Sequence, residues 1–424
     1  MASESARFRA YLDAVKEPFL KASRLEFLRD DGSVAFFVDN NPLNPHSRAF
    51  IQGGTVTVNL QNGMRRNAGI SLANVDGEFA YKVGNLWFGH QIRLMEGLYL
   101  PDGEPFLLPQ GVFYAENPEE LVNTKKREAQ WNLVDKWAYL DGTLFGMLEG
   151  IYEVPVGTNI FAAMRSLLLL DRGNGIPIDK VPPVFTDYYN GKQQETEDGG
   201  VANLTDCPYT YRAESAGQSY ADILLELNKM LAGWIGYDCT GQLKVDAGDD
   251  DINDADKAVQ VMLTPTEKEL MSAKYTLKNR EMYNDVIIEG QSLSDVGLVG
   301  GRAVNRDPNS DTNINLIGRK VYREVQNGYY SPTMCEALAK FELKRKSVLQ
   351  KAVDIECGQI FHLQENTLIT VRRPDKEGYP VERHLVTGFS RPIASAGKMT
   401  IHATSVNDFP NVETEQWPLT EQGE

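Results

Sequence analysis

Two stretches of this chain alternate apolar and polar residues with a period of two, and turn residues cut each stretch into short pieces. No other feature restricts the fold as much, because alternate side chains of a strand point to opposite faces of a sheet. In the first stretch, Leu25 and Phe27 lead to Asp31-Gly32 and then to Val34, Phe36 and Val38. Asp-Gly supplies the positive φ of a tight hairpin turn. A second pair follows, with Thr55, Val56, Thr57, Val58 and Leu60 on one side of Gln61-Asn62-Gly63 and Ala68, Ile70 and Leu72 on the other. Further strands are expected at 91–97, 111–116 and 128–135. About six short strands separated by turns predict an antiparallel sandwich or barrel over 23–155.

The period changes on both sides of this block. Phe8, Tyr11, Leu12, Val15 and Phe19 follow helical spacing and predict an amphipathic helix over 3–20, within an N-terminal arm of 1–22. After 155, Thr158 can cap a helix running to Leu170, and Ser219 a second one with Ile223, Leu224, Leu227, Met230 and Leu231 as its stripe. Residues 186–218 are polar and glycine-rich, the composition of a surface excursion. A hairpin follows at 234–246, turning at Thr240-Gly241. Residues 156–262 thus form a middle domain of helices and a hairpin. From 263 to 412 the strand pattern returns as a second β domain. It holds one helix at 333–349, opened by the capping box Thr333-x-x-Glu336. Residues 413–424 are a loose polar tail. The fold class is therefore mainly β with an α+β insert: two antiparallel barrel or sandwich domains and a helix-containing middle domain.

A search for chemistry yields no catalytic, cofactor-binding or metal-binding residues. Asp249, Asp251 and Asn253 alternate as in a calcium loop. However, Asp254 stands where that loop needs glycine and Gln260 where it needs a bidentate glutamate. Gly297-Leu298-Val299-Gly300-Gly301 matches no phosphate-binding motif and reads as a flexible loop. Asp135 and Asp141 flank Trp137 and Tyr139, residue types a sugar site uses, although a strand end with its aromatics in the core has the same composition. Cys207, Cys239, Cys335 and Cys357 form no C-x-x-C pair and, with the five histidines, no zinc pattern, so free thiols are expected.

The charge balance excludes a nucleic-acid grip. The formal net charge is −16. The densest cationic run, Lys340, Lys344, Arg345, Lys346 and Lys351, shares a predicted helix with Glu336 and Glu342, as on a solvated face. An acidic wall would instead let a duplex slide past. The longest apolar run is Leu167–Leu170, far below the ~20 residues of a membrane span, so no membrane insertion is expected. The N-terminus lacks an apolar signal core, which predicts synthesis in the cytoplasm without a signal peptide.

Three segments, in order, carry a resemblance. The first is Gly54-Thr55-Val56-Thr57-Val58 with Ala68-Gly69-Ile70-Ser71-Leu72-Ala73-Asn74-Val75-Asp76-Gly77-Glu78-Phe79, then Gly89-His90-Gln91-Ile92-Arg93-Leu94. The second is the helix from Ser219-Tyr220-Ala221-Asp222 with the hairpin Ile235–Val245. The third is Tyr283-Asn284-Asp285-Val286-Ile287-Ile288-Glu289-Gly290, followed by Asp307-Pro308-Asn309-Ser310, Ile317-Gly318-Arg319-Lys320 and the helix at 333–349. Together they resemble the central hub proteins at the tips of phage tails and contractile injection machines, over about residues 50 to 405. Many hubs have a Gly-Asp turn where this chain reads Leu363-Gln364-Glu365-Asn366-Thr367.

The resemblance implies a non-enzymatic virion protein of the tail tip. It implies a homotrimer whose paired, tube-like β domains make a pseudo-sixfold ring around the DNA channel, adapting a sixfold tube to a threefold tip. The implied partners are the tail tube or distal tail protein, the tape-measure protein, and tip, spike or fibre proteins, with roles in tail assembly, DNA ejection and host entry. Two other readings remain at this stage: a carbohydrate-binding or glycan-degrading protein, and another tail ring such as a distal adaptor.

Overall fold

A computed structural model describes residues 2–75, 77, 79, 89–122, 127–173, 175–195, 201–213, 217–231, 233–247, 259–263, 270–278, 280, 282–290, 299–325, 332–347, 350–372, 381–406, 410–415 and 417. The chain opens with helix α1 (Ala2–Ala14). It is shorter than the expected 3–20, since the residue before Pro18 is biased to extended backbone. Seven strands follow: β1 (Lys21–Leu28), β2 (Val34–Asp39), β3 (Phe50–Asn59), β4 (Arg66–Ala73), β5 (Gln91–Tyr99), β6 (Pro105–Val122) and β7 (Arg127–Asp135). Their order is β3-β2-β1-β5-β6-β7-β4, and β4 pairs back onto β3 to close the circuit. Between β2 and β3 the circuit is held by one pair, Asp39 with Phe50. The turn glycines Gly32 and Gly63 take φ of +81° and +101°, as their hairpins require.

The middle of the chain contributes β8 (Tyr152–Val154), α2 (Ile160–Leu168), β9 (Val184–Phe185), β10 (Gln193–Glu195), β11 (Val201–Asn203), β12 (Tyr211–Ala213), α3 (Tyr220–Leu231), β13 (Gly233–Tyr237) and β14 (Leu243–Ala247). Asn159 caps α2 by accepting the Ala162 N–H at 3.0 Å. This unit is keyed to the first barrel at the 61–63 turn, where the Ile235 N–H donates to Asn62 Oδ1 at 2.9 Å and the Gly63 N–H to the Ile235 carbonyl at 3.0 Å.

The span expected as one β domain, 263–412, divides between two sheets. Strands β15 (Val259–Leu263), β16 (Leu270–Lys278), β20 (Gln350–Cys357), β21 (Leu368–Val371), β22 (Glu382–Ile393) and β23 (Met399–Ser405) join the large sheet in the order β15-β21-β22-β23-β20-β16. Between them the chain leaves to build a second sheet from β17 (Asp285–Gly290), β18 (Val299–Asn305), β19 (Val321–Val325) and β24 (Val412–Glu415). Helix α4 (Ile314–Ile317) lies in its connection, and α5 (Pro332–Ser347) packs on its face. The reason is apolar burial: Val286, Ile288, Ala303, Met334 and Ala339 share one core with Leu167, Leu227 and Ile235 of the middle unit.

Two smaller expectations change with it. Gly300-Gly301 is strand backbone rather than loop; a Cβ on Gly301 would collide with the backbone of Cys335 and Glu336, so glycine permits the close approach of α5. Residues 297–298 lie outside the described residues. The tail expected to be loose from 413 instead adds β24 to β18, with Glu415 bonded to Arg302 at 2.7 Å.

The large sheet is continuous because β22 belongs to both halves. Residues 382–385 pair with β21 and residues 388–393 pair with Gly54–Asn59 of β3 along the same edge, while β23 holds the other edge. A register shift at Val386/Gly388 marks the crossing. A Cβ at Gly388 would sit 2.6 Å from the Val58 carbonyl oxygen, so the seam requires glycine there. One apolar core spans it, with Leu25, Val58 and Trp131 on one side and Val353, Phe389 and Ile401 on the other.

Candidate functional site: a latched seam, a polar face and free edges

Beside the seam lies a buried set of charges. Glu96 and Arg391 are both fully buried. The Arg391 guanidinium donates to Glu96 at 2.7 and 3.0 Å, to Gln110 Oε1 at 2.7 Å and to the Ile360 carbonyl at 2.7 Å. Lys21 reaches Glu96 at 2.8 Å and Gln359 at 2.7 Å. Burial alone would raise the Glu96 carboxyl, but Arg391 and Lys21 outweigh it and hold it below its ordinary range. Burial pushes Lys21 down to about 8, against the pull of Glu96. A second set joins Arg66 to Glu365, to Gln364 at 3.0 Å and to the Gln110 carbonyl at 3.1 Å. Both sets tie the 359–365 segment and β22 to the first barrel. Tyr11 of α1 adds a third tie, its hydroxyl 2.8 Å from His362 Nδ1.

The outer face of the continuous sheet has a different chemistry. Across six strands, from β16 to β4, one row of facing residues reads Ser272, Glu356, Thr400, Ser390, Thr57 and Asn67. A neighbouring row reads Pro392, Thr55, Gly69 and Asn132, and beside it Ser71 faces Gln130. Glu356 is engaged by Lys398 at 2.9 Å and by the Ser272 hydroxyl at 3.1 Å. The next row of the same face carries charge, with Lys274 facing Asp354 and Asp354 facing His402, whose Nδ1 lies 2.7 Å away; the neutral rows are those of β22, β3 and β4. A hollow of about 350 Å³ lies over Gly54 and Gly69, rimmed by Asn117, Glu119 and Gln130. The outer face of β1, β2 and β5 carries charge as well, with Arg93 on Glu26 at 2.5 Å and Arg24 stacked over Phe37 at 4.3 Å.

Among the described residues, β15 has a strand on one side only, β2 meets β3 at a single pair, and two further edges are open. β16 ends the sheet. β6 is 18 residues long, but β5 covers only 105–113, so residues 115–122 pair with β7 alone.

The sequence-derived candidates fall as follows. Asp135 is buried and accepts the N–H groups of Arg65, Arg66 and Trp137 at 2.8–2.9 Å. Burial pushes its carboxyl up to about 6 against those bonds. Trp137 is buried too, whereas Asp141 is half-buried and closes a local turn on Thr143. The pair therefore belongs to a strand end and its core rather than to one pocket. The acidic stretch at 249–254 lies outside the described residues. Among the described residues no group of His, Cys, Asp and Glu is placed to hold a metal ion, and no helix is long and apolar enough to cross a membrane. Lys346 of the basic helix reaches Glu342 at 3.4 Å and stacks over Tyr322. Cys207, Cys335 and Cys357 are buried and Cys239 is half-buried, with burial raising the Cys207 and Cys335 thiols to about 12.

The latch was missed in the sequence, although its signal was there. Glu96 and Arg391 occupy the inward phase of their strands, after Ile92 and Leu94 and between Phe389 and Ile393, where a charge must have a buried partner.

No family model and no curated protein matches the sequence. The fold, a mainly β chain with two joined barrel-like halves and a small helical insert, is that of phage tail proteins. Among solved structures, the tail protein from Neisseria meningitidis MC58 superposes with a TM-score of 0.57 at 10% identity, covering 92% of this chain and 99% of that one. The 43 kDa tail protein of prophage MuSo2 from Shewanella oneidensis superposes with a TM-score of 0.54 at 12% identity, covering 92% and 99%.

Proposed function

We propose that this chain is a non-enzymatic structural protein of the virion that forms the hub ring at a phage tail tip, with the polar outer face of its continuous sheet turned to the channel. The observation carrying this reading is that face, which crosses from one barrel-like half to the other through β22 and β3. A polyanion moving through a pore adheres to clustered cations and is repelled by clustered anions; the neutral rows of Ser390, Thr57, Thr55 and Asn67 do neither, and Glu356 and Asp354 are met by Lys398 and His402. The fold shared with tail proteins supports the same reading, and the net charge of −16 argues against a DNA grip. In this role the ring is a homotrimer with pseudo-sixfold symmetry. It joins a tube or distal tail protein on one side and tip, spike or fibre proteins on the other, with the tape-measure protein above its bore.

Light scattering of the purified chain together with reconstruction of tail particles tests this. The expected result is a closed ring seated at the tip with Thr57 and Ser390 facing the bore. A stable monomer at high concentration, or turnover of cell-wall or polysaccharide substrates, overturns it.

A further inference from the structure

Among the described residues, two buried lysines each meet a buried carboxylate, and their surroundings differ. Lys21 shares Glu96 with Arg391, so that carboxylate is held as an anion between two cations. Lys136 meets Asp179 with no second cation bonded to it. Its Nζ lies 2.5 Å from Asp179 Oδ2, and both side chains are 2% exposed. We infer that Lys136 and Asp179 condense into an isopeptide bond, a covalent cross-link from the first barrel to the middle unit.

Local structure holds both partners in place. Lys136 opens a one-turn helix, Lys136–Tyr139, directly after β7. Its Nζ also donates to the Gly241 carbonyl at 3.0 Å. Asp179 lies between α2 and β9, where its own N–H donates to the Leu168 carbonyl at 2.8 Å and the Ile178 N–H to Leu170 at 2.9 Å. Its two carboxylate oxygens have different partners. Oδ1 accepts the Val181 N–H at 3.0 Å, and Oδ2 accepts the Tyr237 hydroxyl at 3.0 Å. Cγ lies one bond beyond Oδ2, close to the roughly 3–3.5 Å separation of a near-attack pair.

The surroundings favour a neutral pair over an ionic one. An ion pair taken out of water keeps a desolvation cost that its attraction offsets only with further compensation. Burial pushes the Lys136 ammonium down from its ordinary value, against the pull of Asp179. Burial and then Asp179 hold the Tyr237 hydroxyl well above its ordinary value, so it keeps its proton and remains a donor to Oδ2.

The reaction balances without any co-reactant. One ammonium proton passes to Oδ2, leaving a neutral amine beside a carboxylic acid. The Nζ lone pair then attacks Cγ and the C–N bond forms. The Cγ–Oδ2 bond breaks, and Oδ2 leaves as water with a second proton from nitrogen. Nζ keeps its third hydrogen as the amide N–H. Oδ1 becomes the amide carbonyl, still accepting from Val181. Exclusion of water from the site draws the condensation forward. The same step is closed to Lys21, because Arg391 holds Glu96 ionised through two bonds.

Intact mass of the full chain, measured under denaturing conditions, tests this. Chain collected in urea from inclusion bodies should lose the mass of one water on refolding. A digest of the refolded chain should contain one branched peptide joining Lys136 to Asp179. Lys136→Arg and Asp179→Ala should each keep their full mass through the same refolding. Tyr237→Phe, with its fold checked by circular dichroism, should lose the water about tenfold more slowly. A refolded wild-type chain that keeps its full mass overturns the cross-link, and so does a branched peptide at Lys21 instead. Neither result bears on the ring.

Discussion

The two halves of the large sheet solve the same problem differently. The first, β1–β7, returns on itself through β3 and β4, leaving residues 115–122 of β6 and most of β2 with a strand on one side only. The second, β15-β21-β22-β23-β20-β16, stays open at its ends among the described residues. Both bury one face on a shared apolar core. The first half is therefore a circuit with open stretches along β6 and β2, whereas the second is open at both ends, β15 and β16. The difference teaches that the two halves are not interchangeable: one returns on itself and the other does not, and β22 makes them one body.

Breaking the latch between them should have the largest effect. Arg391→Met strands Glu96 with only Lys21 for charge, and about 3–5 kcal/mol of stability should be lost in urea unfolding. Replacing Lys21, Glu96 and Arg391 together by Met, Leu and Met should recover much of that, because no buried charge is then left alone. A smaller loss, about 1–3 kcal/mol, is expected for Gly388→Val, where the added side chain forces β22 away from Val58. Its diagnostic is a second unfolding transition in calorimetry, as the halves part company.

A pH series sharpens the comparison further. Lys21 sits at about 8 in the folded chain against an ordinary value of 10.5. Between these values the unfolded chain binds more protons, so this residue makes stability rise with pH from about 8 to about 10.5. Below 8 its burial penalty is fully present. Lys21→Met should remove that rise from the pH profile of urea midpoints. Tyr11, pushed up to about 12 by burial, acts in the opposite direction above pH 10. The smallest stability effect should come from Thr57→Lys in the neutral rows of the outer face, within about 0.5 kcal/mol. The same change should create measurable retention on immobilised duplex DNA at low salt, where the wild type shows none.

The first half was largely legible in the sequence, because Asp31-Gly32 and Asn62-Gly63 mark hairpins whose partners are close along the chain. The second half was less so. Pairing of β22 with β3 joins residues more than 300 positions apart, and no local period encodes it. Gly300-Gly301 misled in another way: glycine reads as a loop, yet here it makes room for α5 against a strand. The strand-forming tail was hidden because Glu413 and Glu415 look like solvent residues until Arg302 is placed beside them. The neutral rows were visible as the outward phase of Thr55, Thr57, Asn67 and Ser71, but their continuation onto Ser390 and Thr400 depends on the seam.

The shared strand also sets a schedule for the nascent chain. A ribosome adding about 5–20 residues per second finishes β3 tens of seconds before it reaches β22. During that wait the margin of β3 from Gly54 to Asn59 has no permanent neighbour. Newly made chains are therefore most prone to mispairing in that interval, and a chaperone that shields the N-terminal portion until residue 393 has emerged would raise the yield of finished protein.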